Sequence, residues 1–127
     1  MEGQGRFVVK SINLTGSVAA GETGSFLSPP VLTRHRPIFV AFWASGSETG
    51  SWFSIFLTKS PVPVEMPQPG DPPVIFAMRT QFFGTNVVSI PLAVTDVIEE
   101  GTRVALVVNN ASTGTITVTM LYLYQEV

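Results

Sequence analysis

Few side chains in this 127-residue chain could carry out chemistry, and those few are scattered. His35 is the only histidine, the residue type whose ordinary pKa lies near neutrality. It stands between Arg34 and Arg36, and two neighbouring cations disfavour a protonated ring. Nucleophilic catalysis needs a nucleophile, a base and an orienting group, and no motif that combines them is present. We therefore expect His35 to lie in an exposed loop without a catalytic role.

The acidic residues do not suggest a metal site or a catalytic pair. A cation site needs several carboxylate or imidazole ligands that converge, but the two aspartates, Asp71 and Asp96, lie in different segments. The chain has no cysteine, so disulfides and thiolate metal ligands are excluded. It also lacks the Gly-rich loops that cradle phosphates. The sequence predicts a protein that is not an enzyme and needs no metal or cofactor.

The low charge of the chain favours contacts with other protein subunits. Charged residues make up 13% of the sequence, about half the usual quarter for a soluble domain. A surface rich in Ser and Thr could account for this, because hydroxyl groups are also well solvated. Interfaces between subunits, however, are likewise poor in charge and rich in aromatic residues. We favour the second explanation.

Charge and hydropathy also limit the other partners. A net charge of -2 without a basic stripe predicts no binding to nucleic acid. The first residues lack the basic start and apolar run of a secretory signal, and no apolar run is long enough to span a membrane. We expect a soluble protein that is made in a cytoplasm and has no membrane partner.

The aromatic residues predict the centre of the hydrophobic core. Residues 38–57 consist of two apolar segments on either side of a polar, Gly-bounded loop at residues 45–50, a pattern typical of a hairpin. Both faces of the first apolar segment are apolar, so we expect both to be buried, against a second sheet or against another subunit. Large aromatic rings bury the most apolar area. The predicted core residues are Phe39, Phe42, Trp43, Trp52, Phe53 and Phe56.

The rest of the chain favours short strands separated by turns. The last one, residues 115–124, alternates best, with Ile116, Val118, Met120, Tyr122 and Tyr124 on one face. A loop at residues 110–114 predicts a terminal hairpin with the preceding strand. About eight strands and no amphipathic helix predict an all-β antiparallel sandwich of two sheets, with a jelly roll as the natural topology. The length predicts one domain spanning residues 1–127. Strands are predicted at residues 7–14, 17–19, 38–44, 51–57, 74–83, 87–90, 102–109 and 115–124, with residues 25–27 as a further short candidate.

The segment at residues 59–73, KSPVPVEMPQPGDPP, holds six of the ten prolines. So much proline cannot form a central strand, so we predict an extended crossover or an arm that lies along a neighbouring molecule. We call this segment the arm. Its apolar side chains and the tyrosines of the last strand are expected at a subunit interface. The predicted interface residues are Pro61, Val62, Pro63, Val64, Met66, Tyr122 and Tyr124.

In these features the chain resembles small all-β structural proteins of virus particles, such as phage capsid decoration proteins, head fibres and single jelly-roll capsid subunits. The resemblance covers the whole chain and is carried by the absence of Cys, the low charge, the arm and the hydroxyl-rich terminal segment TRVALVVNNASTGTITVTMLYLYQEV. It implies a virion protein, made in the host cytoplasm, that forms a homo-oligomer, with a trimer favoured. Its other implied partners are capsid proteins of a shell that it stabilises or decorates.

The alternative is a carbohydrate-binding or receptor-binding β-sandwich. Trp43 and Trp52 would then point outward and form a platform on which a sugar ring stacks. Because both lie within continuous apolar runs, we expect them in the core instead.

Overall fold

The computed structural model describes residues 8–45, 51–72, 74–79, 88–91 and 96–127, and for 74–79 and 88–91 the backbone alone. Within these ranges the chain forms strands joined by turns and loops. None of these ranges contains a helix long and apolar enough to cross a membrane. In chain order the strands are β1 (Val8–Val18), β2 (Thr23–Leu27), β3 (His35–Ala44), β4 (Trp52–Thr58), β5 (Val74–Arg79), β6 (Val88–Pro91), β7 (Arg103–Asn109) and β8 (Ile116–Glu126).

The strands form two antiparallel sheets with the orders β1-β8-β3-β6 and β2-β7-β4-β5. The pairing is nested, because the first strand pairs with the last, the second with the seventh, the third with the sixth and the fourth with the fifth. The longest uninterrupted register joins β1 to β8 over eleven residue pairs, from Val8 and Glu126 to Val18 and Ile116. The prediction of an all-β chain with two antiparallel sheets is confirmed.

A shared hydrophobic core lies between the two sheets. Alternate residues of β8 are buried, from Ile116 to Tyr124, as the period-two pattern of the sequence predicts. They pack against buried side chains of β3 from the same sheet and of β4 and β7 from the other. The fully buried members include Val40, Ile55 and Leu106. The core therefore joins strands that are far apart in the sequence.

The predicted hairpin at residues 38–57 is wrong. Strand β3 belongs to one sheet and β4 to the other, so these two strands do not pair edge to edge. Instead they face each other across the core, where the rings of Phe42 and Phe53 stack. A polar, Gly-bounded loop suits a connection between two layers as well as a hairpin within one, so its composition did not distinguish them. The loop residues 46–50 lie outside the described residues.

The predicted terminal hairpin is wrong for the same reason, because β7 and β8 also lie in different sheets. Asn110 shapes the connection and is fully buried. Its side-chain nitrogen donates to the carbonyl oxygens of Val18 at 2.8 Å and Gly114 at 2.7 Å. Its side-chain oxygen accepts hydrogen bonds from the backbone nitrogen and the hydroxyl of Ser112. One amide thus satisfies backbone groups from two connections at the same end of the sheets.

Candidate interaction surface

The arm is held in place by the carboxylate of Asp71. Its Oδ1 accepts a hydrogen bond from the backbone nitrogen of Lys59 at 3.0 Å. Its Oδ2 accepts two more, from the hydroxyl of Thr58 at 3.0 Å and from the backbone nitrogen of Gln68 at 2.7 Å. Because one side chain joins the two ends of the segment, residues 59–71 form a compact loop of the Ω type. Within the described part of the chain, the arm therefore has a defined path.

The charged side chains of Asp71, Lys59 and Glu99 lie near the two ends of the arm and take part in structural contacts. Burial alone would raise the pKa of the Asp71 carboxyl, but hydrogen bonds from Gln68, Lys59 and Thr58 lower it below its ordinary value. The ammonium group of Lys59 lies 2.7 Å from a carboxylate oxygen of Glu99, and this contact lowers the pKa of Glu99. A cleft of about 550 Å³ lies beside these residues. Its Asp71 and Glu99 carboxylates are already engaged by hydrogen bonds, so neither is placed as a free acid or base.

The described residues also contain no group of three or more His, Cys, Asp or Glu side chains that could hold a metal ion. Asp71 and Asp96 do line the same cleft, although the sequence places them in different segments.

The arm covers part of the outer face of the second sheet and leaves other apolar side chains in solvent. Val64 is half-buried and packs against Phe56, Ala105 and Val107, which form a small buried cluster outside the main core. Val62 and Met66, two residues before and after it, are 59% and 64% exposed. The prolines at 61 and 63 are exposed as well. The arm thus attaches through one apolar residue and presents two others.

The two tyrosines predicted at the interface lie elsewhere. Tyr122 is fully buried and Tyr124 is 6% exposed, and both point into the core from β8. Their prediction as interface residues is wrong, because the strand alternates and its apolar face is the one covered by the second sheet. Val62, Met66, Pro61 and Pro63 are exposed, so they are available to a partner, whereas Val64 is occupied within the chain.

His35 is also not the exposed loop residue that its neighbours suggested. It begins β3, and its side chain is fully buried. Its Nε2 lies 2.8 Å from the hydroxyl oxygen of Tyr122, and its ring centre is 4.8 Å from that of Tyr124. Burial lowers the pKa of His35 and raises the pKa of both tyrosines. The exposure of Arg34 and Arg36 on either side reflects the alternation of an extended chain, which turns every second side chain inward.

The six aromatic residues predicted for the core divide between three locations. Phe42 and Phe53 lie in the core between the sheets, with exposures of 2% and 1%. Phe56 is equally buried, but in the small cluster beneath the arm. The remaining three, Phe39, Trp43 and Trp52, are half-buried on outer faces, so their prediction as core residues is corrected. The reason is that aromatic residues occupy both sets of alternate positions along β3 and β4. Only one set on each strand can face the other sheet.

The two tryptophans do not share a surface. Trp43 pairs with Thr119 on the outer face of the first sheet. Trp52 packs against the small cluster on the outer face of the second sheet. These faces lie on opposite sides of the core, so the two rings cannot form one sugar-binding platform.

The outer face of the first sheet carries a second apolar surface. Phe39 and Trp43 of β3 lie on this face, and the neighbouring strand β8 contributes Leu121 and Leu123, which alternate with its buried residues. All four side chains are half-buried. Towards β1 the surface changes to hydroxyl groups, where Thr119 is hydrogen-bonded to Thr15 at 3.4 Å. The outer face of the first sheet thus carries an apolar strip next to a hydroxyl-rich strip.

No sequence signal identified Asp71 or Asn110 as the residues that shape the loops. Asp and Asn are common in turns, and Asp71 stands between Gly70 and Pro72. Their hydrogen-bond partners, however, include Thr58 and Val18, which are 13 and 92 residues away. Contacts over such distances are invisible in the local pattern.

No protein-family model matches the chain, and a search of the curated proteins finds no match. Solved structures resemble it in fold. Dimeric latent PorU from Porphyromonas gingivalis matches with a TM-score of 0.52 and 11% identity, over 94% of this chain and 13% of the PorU chain. The chain therefore spans a small part of PorU, and at this identity the likeness shows the fold alone.

Two further structures match with a TM-score of 0.40, which is too low to support an argument. One is PliG from Aeromonas hydrophila, a periplasmic inhibitor of g-type lysozyme, at 16% identity over 91% of this chain and 86% of that chain. The other is the capsid of cyanophage Pam1, at 12% identity over 96% of this chain and 84% of that chain. The structures that resemble this chain thus include a viral capsid protein among proteins of other kinds.

Proposed function

We propose that this chain is a non-enzymatic structural subunit of a virus particle that associates with copies of itself and attaches to a capsid shell, which it stabilises or decorates. The observation that supports the proposal most is the arm, whose path is held by Asp71 while Val62 and Met66 remain in solvent. From the resemblance to small all-β structural proteins of virus particles, we further expect the oligomer to be a trimer and the source to be a bacteriophage.

The strand orders support the same proposal at the level of fold. From the nested pairing of β1 with β8, β2 with β7, β3 with β6 and β4 with β5, we infer an eight-stranded jelly-roll sandwich. Viral capsid subunits use this fold, and lectins use it too. Fold alone therefore does not choose between an assembly subunit and a carbohydrate-binding module, and the choice depends on the surface.

The arm favours assembly because its exposed apolar residues are held in place. Single exposed apolar residues are common on proteins and need no partner. Here, however, a loop of fixed path presents two of them, so little conformational entropy is lost when a partner covers it. Complete burial would contribute about 1.5 to 3 kcal/mol for each side chain. The alternative is weaker, because Trp43 and Trp52 lie on opposite outer faces and cannot stack on one sugar.

The arm offers a matched pair of variants to test the proposal. The double variant V62S/M66S removes the exposed apolar groups, and Val64→Ser removes the one that packs within the chain. We expect V62S/M66S to lose self-association while its free energy of unfolding stays within about 0.5 kcal/mol of the wild type. We expect Val64→Ser to unfold more easily and to keep its oligomer. Sedimentation equilibrium gives the mass of each species, and urea unfolding gives its stability.

Two results would contradict the proposal. One is a wild-type chain that stays monomeric at every concentration and does not bind capsid shells. The other is an oligomer that V62S/M66S leaves intact, which would show that the arm is not the contact between subunits. Binding of a simple sugar that Trp43→Ala abolishes would favour the carbohydrate-binding alternative instead.

A further inference from the structure

The buried ring of His35 is a basic group that the proposed function does not use. It lies at a corner of the molecule where the start of β3 meets the end of β8. The side chain is fully buried, although the ordinary pKa of histidine would leave part of it charged at mildly acidic pH. A group of this kind is unusual unless its partners favour one protonation state.

The hydrogen bonds around the ring fit the neutral form. Nε2 lies 2.8 Å from the hydroxyl oxygen of Tyr122, and Nδ1 lies 3.5 Å from the carbonyl oxygen of Thr33. With its proton on Nδ1, the neutral ring donates towards Thr33 and accepts at Nε2 from the tyrosine hydroxyl. A second proton on Nε2 would remove that acceptor, and the hydroxyl of Tyr122 would have to turn and find a new one.

The charged groups around the corner do not provide a dedicated counter-ion. Glu126 of β8 attracts a proton to His35, but its carboxylate already accepts from Lys10 of β1 at 3.1 Å and from the hydroxyl of Thr33 at 2.9 Å. Tyr124 is neutral and packs against the ring. Among the described residues, the other charged groups on the elements around this corner are Arg34, Arg36, Asp96, Glu99 and Glu100, of which Glu99 is paired with Lys59.

The backbone at the same corner connects three segments. The nitrogen of His35 donates to the carbonyl oxygen of Ile98 at 3.0 Å, and the nitrogen of Ile98 donates back at 2.7 Å. On the other side, His35 is in register with Glu126, and the nitrogen of Val127 donates to the carbonyl oxygen of Arg34 at 3.0 Å. The ring cannot reach water unless some of these bonds open.

We propose that His35 and Tyr122 form an acid-sensitive latch, which holds the start of β3, the end of β8 and the segment around Ile98 together at neutral pH and releases them when His35 takes up a proton. The release is local, because the backbone hydrogen bonds at this corner join the start of β3 to the end of β8 and to the segment around Ile98. Burial lowers the pKa of His35 against smaller opposing effects of the Thr33 carbonyl and Glu126, so the latch stays closed at neutral pH. In acid, this corner exposes Tyr122 and Tyr124 and changes the surface that it offers to a partner.

Hydrogen exchange of the full chain tests the latch, and the single histidine makes the test clean. The amides of His35, Ile98 and Val127 report on the corner, and the amide of Leu106 in β7 reports on global unfolding. After correction for the intrinsic rate, we expect opening at the corner to increase up to about tenfold for each pH unit below 6.5. His35→Gln, which cannot take up the proton, should remove this dependence at the corner. Leu106, which exchanges through global unfolding, should keep a larger opening free energy than the corner amides at every pH.

A second measurement covers the case in which His35→Gln does not fold. Nuclear magnetic resonance of the only imidazole in the wild type gives its titration midpoint directly, and we expect it below 6.5. A midpoint at or above that value would overturn the proposal. So would exchange at the corner that rises equally in His35→Gln, because the opening would then be independent of His35. An opening free energy at the corner equal to that of Leu106 would do the same, because the opening would then be global. Dilute samples keep the measurement independent of self-association.

Discussion

The ring of Phe42 on β3 stacks on the ring of Phe53 on β4, with 3.7 Å between ring centres and 12° between ring planes. The two residues belong to different sheets, so this stack connects the layers at the centre of the core. Both rings are almost completely buried. The contact shows that the aromatic segments of the sequence meet face to face through their side chains.

Removal of either ring of this pair should be costly. Phe42→Ala and Phe53→Ala should each lower the free energy of unfolding by about 3 to 5 kcal/mol, because each leaves a cavity in the core. Trp43→Ala, next to Phe42 but on the outer face, is the control and should cost about 1 to 2 kcal/mol. Urea unfolding measures all three. Equal losses for Phe42→Ala and Trp43→Ala would contradict the assignment of inner and outer faces.

Gly16 should not tolerate a side chain, because a Cβ atom there would lie closer than 3.0 Å to three ring carbons of Phe26. Gly16→Ala should cost about 1 to 3 kcal/mol through overpacking of the core. Phe26→Leu in the same chain removes the two nearest ring carbons, so the double variant should lose less than the sum of the single losses. Gly114→Ala is the control, because nothing lies within 4 Å of its Cβ position. Strict additivity of Gly16→Ala and Phe26→Leu would exclude the clash.

The amide of Asn110 should be far more sensitive to charge than that of its neighbour Asn109. Asn110→Asp turns two donors into acceptors that face the carbonyl oxygens of Val18 and Gly114, and it buries a charge. We expect a loss of about 3 kcal/mol or more. Asn109→Asp keeps the same chemistry at an exposed hydrogen bond to Thr23 and should change stability by less than about 1 kcal/mol. Thermal unfolding compares the two, and similar losses would contradict the buried network.

The arm should open when Asp71 loses its charge. Asp71→Ala removes the acceptor of three hydrogen bonds, so the amides of Lys59 and Gln68 should lose protection from exchange. Hydrogen bonds hold the pKa of Asp71 below its ordinary value of 3.8. The stabilisation is therefore complete above that value and is lost as the pH falls through the lowered pKa. Ser60→Ala, which leaves the carboxylate intact, is the control. Unchanged exchange in Asp71→Ala would show that the carboxylate does not hold the arm.

The candidate surface could be predicted from the sequence only in part. The prolines of the arm predicted an extended segment without regular pairing, and Val62 and Met66 lie in solvent as an interaction surface requires. The attachment of the arm by Asp71 and Val64 depends on the outer face of β4 and β7, which assembles only when the sheet has formed. For the same reason, the sequence could not show that Tyr122 faces inward towards a histidine 87 residues away.

By itself, the sequence determined that the chain is all-β with two antiparallel sheets, and which residues of β8 share a face. These properties depend on alternation within a few residues and on the absence of a helical pattern, so the local sequence contains them. The tertiary structure alone decided that β3 and β4 lie in opposite sheets and that His35 is buried. Both depend on pairing between distant strands, and a short polar loop has the same composition whether it turns within one sheet or crosses to another.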